Sequence, residues 1–383
     1  MAKWMYSCRL PTKGRKNSAG DDYSMTCTDQ SAVTNESGRA WAQKLTSYRT
    51  ADDRRAVFEL LVSLVPFAGL WGVMAFAVEH DLPWLYALLV LPTAGFLIRL
   101  FLIQHDCGHG SFFSRKTTND WVGRVLGVLT ITPYDHWRRG HALHHATAGN
   151  LARRGVGDVD TLTVAEYEAR SPLGRLRYWA YRHPIVLFCI GPAYLFVFQN
   201  RWPAGASHNG WEPWLSTMLT NLAIAGLAAV LISIVGLQTF LWVEIPTLML
   251  AATAGVWLFY VQHQFEKTFW AETADWDVHD AALRGSSHYD LPQVLRWFSA
   301  NIGIHHVHHL SSRIPSYRLP SVLRDFPALR NVGRLTLWQS LECVPLTLWD
   351  DERLRLVSFK ELRRRRSAQT VHAEDCRNRS GAS

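Results

Sequence analysis

The sequence predicts an all-α membrane protein: four transmembrane helices in two hairpins, with interfacial helices and a histidine-rich helical cap on the cytoplasmic side. Three observations predict it. Four apolar runs, at 57–78, 83–103, 215–235 and 239–261, each hold about 20 residues, the length that carries a helix across roughly 30 Å of hydrocarbon. Lys and Arg are absent from the short links at 79–82 and 236–238 and dense in the other loops. Histidines gather in the polar stretches just outside the runs.

Residues 1–50 are polar and Ser/Thr-rich and lack the apolar centre of a signal peptide. They are expected to be poorly ordered, and Met25 is an alternative start. The membrane domain is expected over 51–350, followed by a charged tail over 351–383 that includes Arg363 to Arg366. The polar head and tail explain a near-zero mean hydropathy despite the long apolar runs. The 17 Trp suit rings held at a bilayer interface.

The first two runs form a hairpin, because four residues leave room only for a turn. Arg99 breaks the second of them near its end. A weaker apolar piece spans 121–133. The run at 185–198 is short and carries Gly191-Pro192, which predicts an interfacial or re-entrant segment. The runs at 215–235 and 239–261 form the second hairpin, with Glu244 and Pro246 interrupting the latter near its start. Arg54, Arg55, Arg138, Arg139, Arg153, Arg154, Arg175, Arg177, Arg182 and Arg313 place both termini and both large loops in the cytoplasm by the positive-inside rule. Two cytoplasmic termini require an even number of spans, a second reason to lay 185–198 on the interface.

The net charge is +8. These arginines flank apolar segments and form no nucleic-acid-binding motif, so the basic balance is read as a membrane-facing one. The 6 Cys are scattered without a C-x-x-C pair, which excludes a disulfide scaffold and a zinc knuckle.

Of the 17 His, three clusters stand out: His105 and His109; His141, His144 and His145; His305, His306, His308 and His309. Spacings of three and four set side chains on one helical face. Packing rarely gathers groups that repel once protonated, whereas neutral imidazole is the commonest metal ligand. Lone histidines such as His80, His208, His279 and His372 are read as ordinary surface or core residues, and His136 is out of phase with its neighbours. An all-imidazole site suits zinc, copper, iron or nickel. Structural zinc needs four ligands and favours mixed Cys and His. Eight imidazoles at H-x3-H, H-x2-HH and H-x2-HH spacing suffice for two metals with open positions.

This order of boxes, with two apolar hairpins between, resembles the integral-membrane fatty-acid desaturases over about residues 55–345. The wording is close in Gln104-His105-Asp106-Cys107-Gly108-His109-Gly110-Ser111 and in Gly303-Ile304-His305-His306-Val307-His308-His309-Leu310. The resemblance implies two non-haem iron ions, O₂ as co-substrate, and a ninth ligand, His263, just after the last run. It makes His306 extra to the motif and a candidate outer-shell residue. Asp106 and Glu266 are candidates to orient imidazoles through their second N–H. Asp158 and Asp160 are read as loop residues.

The resemblance further implies a desaturase acting on a membrane acyl lipid. The segment Ser311-Ser312-Arg313-Ile314-Pro315-Ser316-Tyr317 is more similar to the acyl-lipid Δ12 (omega-6) branch than to the acyl-CoA Δ9 branch, which implies a monounsaturated 18-carbon substrate. A hydroxylase or ketolase on the same scaffold is the alternative within enzymes. A histidine-rich metal transporter is the alternative outside them, although its ligands would lie within the spans. No His-Pro-Gly-Gly haem motif, iron–sulfur spacing or Rossmann fingerprint is present, so electrons are expected from a separate ferredoxin or cytochrome b5 type donor.

Overall fold

The computed structural model describes residues 36–155, 157–203 and 210–368. Expectations placed on residues 1–35, Met25 included, and on His208 and His372 fall outside the described residues.

Helix α1 (Gly38–Lys44) opens on Ser37, whose hydroxyl accepts the Ala40 N–H, and a 3₁₀ turn (Leu45–Arg49) extends it. Trp41 and Leu45, four apart on one face, are buried against Val307, Ile314, Leu319 and Val322. Poor order was expected through residue 50, but burial of these two side chains fixes 38–49 against the cap.

Helices α2 (Asp53–Glu79) and α3 (Pro83–Gly108) pack as a hairpin. Asp52 caps α2 by accepting the Arg55 N–H, and proline stands at the start of α3, where no N–H is needed. At 1.5 Å per residue, the 26 residues of α3 reach about 39 Å, longer than a hydrocarbon core of about 30 Å. Its last turn, with His105, therefore projects past the apolar layer. Arg99 is buried between the two helices against Glu59, with its Nε 3.0 Å from the Ser63 hydroxyl.

Helices α4 (Lys116–Leu129) and α5 (Tyr134–Thr147) follow at the projecting end. Strand β1 (Leu162–Thr163), α6 (Val164–Ala169) and α7 (Pro172–Tyr181) lead into an irregular helical segment, Val186–Arg201, bent by 55° from α7. Arg182, buried at the bend, donates to Thr161, Gln264 and the Leu346 carbonyl at 2.9–3.1 Å.

Helix α8 (Glu212–His263) has 52 residues, about 78 Å if straight, and it contains a non-helical Gly236 at φ 77°, ψ 157°. Both of its ends meet α5: Glu212 pairs with Arg139, and His263 Nε2 lies 3.2 Å from His144 Nε2. Arg139 and His144 are only five residues apart, so α8 doubles back at Gly236, within the link read as a turn. The irregular segment follows the same reversal. The Phe188 carbonyl accepts from Thr253 in the returning half, and Arg201 donates to Asn221 in the outgoing half. It thus enters and leaves on one side, as a re-entrant piece does.

Three described helices, α2, α3 and α8, are long and apolar enough to cross a membrane, and the most apolar window of α8 has 0% of its residues buried. Leu222, Ile234 and Leu237 stand more than half exposed there. Such a continuous apolar surface needs lipid around it.

The remaining cap comprises α9 (Val278–Arg284), β2 (His288–Asp290), α10 (Gln293–Phe298), α11 (His305–Leu310), α12 (Leu319–Asp325), β3 (Arg334–Thr336), β4 (Leu346–Asp350) and β5 (Arg355–Ser358). It is not purely helical as expected. β1 and β4 run parallel, β4 and β5 antiparallel, and β2 and β3 parallel. Leu348 and Trp349 of β4 are both buried, on opposite faces, against separate apolar clusters. The expected boundary at 350 therefore falls inside a sheet, and the chain stays folded through a helix at 359–368, where Arg365 pairs with Asp350 and Glu361.

The reversal at Gly236 gives a stability prediction. Gly236→Val forces a side chain into a conformation reserved for glycine, at a cost of about 1–3 kcal/mol. The thermal midpoint in detergent should fall. Gly226→Ala, in an ordinary helical position with open space around it, should leave the midpoint unchanged or raise it. Equal midpoints for Gly236→Val and the parent chain would contradict the reversal.

Candidate metal centre

Four helix ends converge above the apolar layer: the C-terminus of α3 with His105 and His109, α5 with His141, His144 and His145, the last residue of α8, His263, and the short α11 with His305, His308 and His309. All nine imidazoles anticipated from the sequence meet here, in two groups.

The ligand-competent nitrogens of His105, His109, His141, His145 and His308 lie within 4.8 Å of one another, as do those of His144, His263 and His309. His305 joins the second group, its Nε2 3.0 Å from that of His263. Each H-x2-HH box feeds both groups. Residues four apart on a helix differ by about 40° and adjacent residues by about 100°. Hence His141 and His145 share one group while His144 turns to the other, and His305 and His309 share one group while His308 turns away.

Within the groups, Nε2–Nε2 separations are 3.0 Å (His109–His141), 3.1 Å (His141–His145), 3.2 Å (His145–His308) and 3.2 Å (His144–His263). Two nitrogens bound at about 2.1 Å to one ion, at angles of about 90–110°, lie about 3.0–3.4 Å apart. The donor set therefore fits a transition metal in each group. An imidazole nitrogen carries either one hydrogen or one lone pair, so His141 Nε2 cannot bond linearly to both of its neighbours. Burial, reinforced by neighbouring imidazoles, holds His109, His141, His145, His305, His308 and His309 well below the ordinary imidazole pKa. The rings are neutral at pH 7, the state in which imidazole binds metal.

Carboxylates hold some of the outward nitrogens. Asp106 Oδ1 lies 3.2 Å from His105 Nδ1, and its Oδ2 accepts the Ser316 N–H at 2.7 Å. Asp106 thus sits where a residue that orients an imidazole belongs. Asp158, read from the sequence as a plain loop residue, has its Oδ1 2.6 Å from His144 Nδ1. Burial raises its carboxyl pKa, but the facing His144 more than offsets this and leaves it below the ordinary value. Gly157, at φ 71°, lets the loop approach, since a Cβ there would stand 3.2 Å from the His144 Cβ. No helical periodicity links Asp158 to the boxes; the adjacent glycine was the only local signal. Asp160 remains a loop residue, engaged through its backbone.

Two expectations fail. Glu266 turns away from the imidazoles to pair with Arg355 at 3.0 Å, with a side chain 56% exposed. It lies three residues past the end of α8, where the chain has already left the site. His306 faces neither group. Its Nε2 contacts the Leu329 carbonyl at 2.9 Å, and its ring lies 5.7 Å from that of His288, because the residue next to His305 points about 100° away on α11. Two aromatic walls went unanticipated: Trp137 stacks on His141 at 4.7 Å, and Phe259 lies 5.2 Å from both His144 and His263.

Residues 82–339 match the family model described as Fatty acid desaturase. The chain is similar to a fatty acid desaturase of Bacillus subtilis, 40% identical over 321 residues that cover 84% of this chain and 90% of the relative. It is 29% identical to an sn-1 oleoyl-lipid 12-desaturase of Synechocystis sp., over 62% of this chain and 67% of that one. It is 28% identical to an sn-1 acyl-lipid omega-3 desaturase (ferredoxin) of the same organism, over 65% and 69% of the two chains. The chain belongs to the fatty acid desaturase family, whose members are iron-using, membrane-bound oxidoreductases.

Proposed function

We propose that this protein is an O₂-dependent acyl-lipid desaturase with two irons, one in each imidazole group, that inserts a cis double bond at Δ12 of a monounsaturated 18-carbon chain. The observation that carries the reading is the meeting of nine imidazoles in two groups at metal-ligand spacing. His105, His109, His141, His145 and His308 would hold one iron, and His144, His263, His305 and His309 the other. Iron there supplies, with O₂, an oxidising strength that no side chain has. The protein's part is to hold the rings, exclude water and position one pair of methylenes. Asp106 and Asp158 fix the tautomers of His105 and His144, so that Nε2 presents its lone pair inward. Trp137 and Phe259 wall the site with apolar surface.

The Δ12 position is supported by the segment at 311–317 and by the similarity to the oleoyl-lipid 12-desaturase. A separate electron donor, a ferredoxin or cytochrome b5 type protein, is supported by the lack of redox motifs in the sequence and by the ferredoxin named for one relative. The reversal at Gly236 favours four spans in two hairpins, and the arginine placement favours a cytoplasmic site with both termini on the same side.

Topology is checked with reporter fusions: Asp81 and Leu237 should read extracytoplasmic, and Gly149 and Ser311 cytoplasmic. An outside reading at Gly149 contradicts four spans. Purified protein should carry two irons per chain by elemental analysis. Asp158→Asn should lower iron affinity or turnover about 10–100-fold, the usual effect of losing a partner to a ligating histidine. His306→Ala should keep its iron while unfolding at lower temperature. Full activity with zinc alone rejects the iron assignment. Expression in a host that supplies oleoyl lipids, with double-bond derivatisation and gas chromatography, should yield a Δ9,Δ12 diene; a hydroxylated chain or a new monoene contradicts the proposed reaction.

A further inference from the structure

A cavity of about 420 Å³ opens between α2, α3, α10 and the turn Ser316–Arg318. Its charged lining is Arg55, Arg99, Arg296 and Glu59. Glu59 pairs with both Arg55 and Arg99, and the Arg99 guanidinium lies 4.0 Å over the Trp297 ring. The Arg296 side chain has no hydrogen bond or ion pair among the described residues. Three guanidinium groups against one carboxylate leave two positive charges without a counter-charge. Trp297, Ile103 and Phe112 complete the wall with apolar surface.

The cavity lies at the end of α2 and α3 that carries Arg55 and Ile103, where headgroups would meet helices of this length. Val294, Leu295 and Trp297 of α10 are 67%, 43% and 38% exposed, an apolar edge placed where the spanning helices end. Arg99 precedes His105 by six residues, about 9 Å along α3 toward the apolar layer. A hydrogen bond connects the cavity to the site across α3: Ser316, in the lining, donates its N–H to Asp106, which contacts His105.

We propose that this cavity seats the phosphodiester of the glycerophospholipid whose acyl chain is the substrate. A guanidinium fork matches phosphate oxygens in shape and charge. Two unbalanced charges at a bilayer surface call for an anion, and the lipid phosphate is the anion fixed at that depth. A neutral glycolipid leaves Arg296 unmatched. The proposal rests on the acyl-lipid reading above and narrows the substrate to phosphate-bearing lipids.

The test starts with binding, on metal-free, delipidated protein in neutral detergent, so that turnover does not enter. Dioleoyl phosphatidylglycerol, a monogalactosyl diacylglycerol with the same chains, and inorganic phosphate are titrated and followed by native mass spectrometry. Arg296 is half-buried and unpaired, so Arg296→Gln should fold, which its thermal midpoint checks. The phospholipid should bind in preference to the galactolipid, and Arg296→Gln should weaken it about tenfold, the loss of one charge-assisted contact. Galactolipid binding should not change. In the iron-loaded enzyme the same variant should raise KM for the phospholipid with kcat held within about twofold. Equal phospholipid binding by both proteins, equal affinity for the galactolipid, or inorganic phosphate binding as tightly as the lipid overturns the proposal. Selective phospholipid binding by a protein that desaturates nothing upholds the pocket and contradicts the desaturase reading instead.

Discussion

Gathering nine imidazoles, seven of them in Nε2–Nε2 contacts of 3.0–3.2 Å, is the constraint on which the structure turns. Without a cation between them, several lone pairs face one another in a largely buried region, where unsatisfied polar groups are costly. A core that had only to be packed would not be built this way. A bound cation in each group removes the conflict, and the surrounding helices are arranged to hold the rings where it would act.

The scaffold meets that demand with helix length and reversal. Helix α3 outruns the apolar layer and delivers His105 and His109 beyond it, while α8 turns back at Gly236 so that His263 returns to the same side. Between α2 and α3, Arg99 and Glu59 form a buried pair, and breaking such a pair by removing one partner costs about 3–5 kcal/mol. That pair fixes the register of the helix that carries the first box. Arg182 plays a similar part at the re-entrant bend, tying it to the residue just past His263.

The boxes were legible because helical spacing is local: three and four residues place imidazoles on one face before any tertiary contact forms. The long apolar helices were legible because apolar length answers to the bilayer alone. The same local logic failed beyond one helix. Asp158 comes from a loop, through a glycine that permits close approach, and nothing in its spacing points to His144. Glu266 looked well placed by proximity to His263, yet the chain leaves the helix at Gln264 and turns toward Arg355. His306 sits among ligands in sequence and opposite them in space. The fold of 38–49 depends on Trp41 and Leu45 finding a surface made by residues near 310–322, a contact that a polar, Ser/Thr-rich stretch does not advertise.

The division of nine histidines between two irons is the central claim, and X-ray absorption at the iron edge tests it most directly. Protein purified with two irons per chain should show outer-shell scattering from four to five imidazoles per iron. His308→Ala should remove one imidazole from one centre, and His305→Ala one from the other. One or two imidazoles per iron with mainly carboxylate ligation, or sulfur in the first shell, would contradict the account.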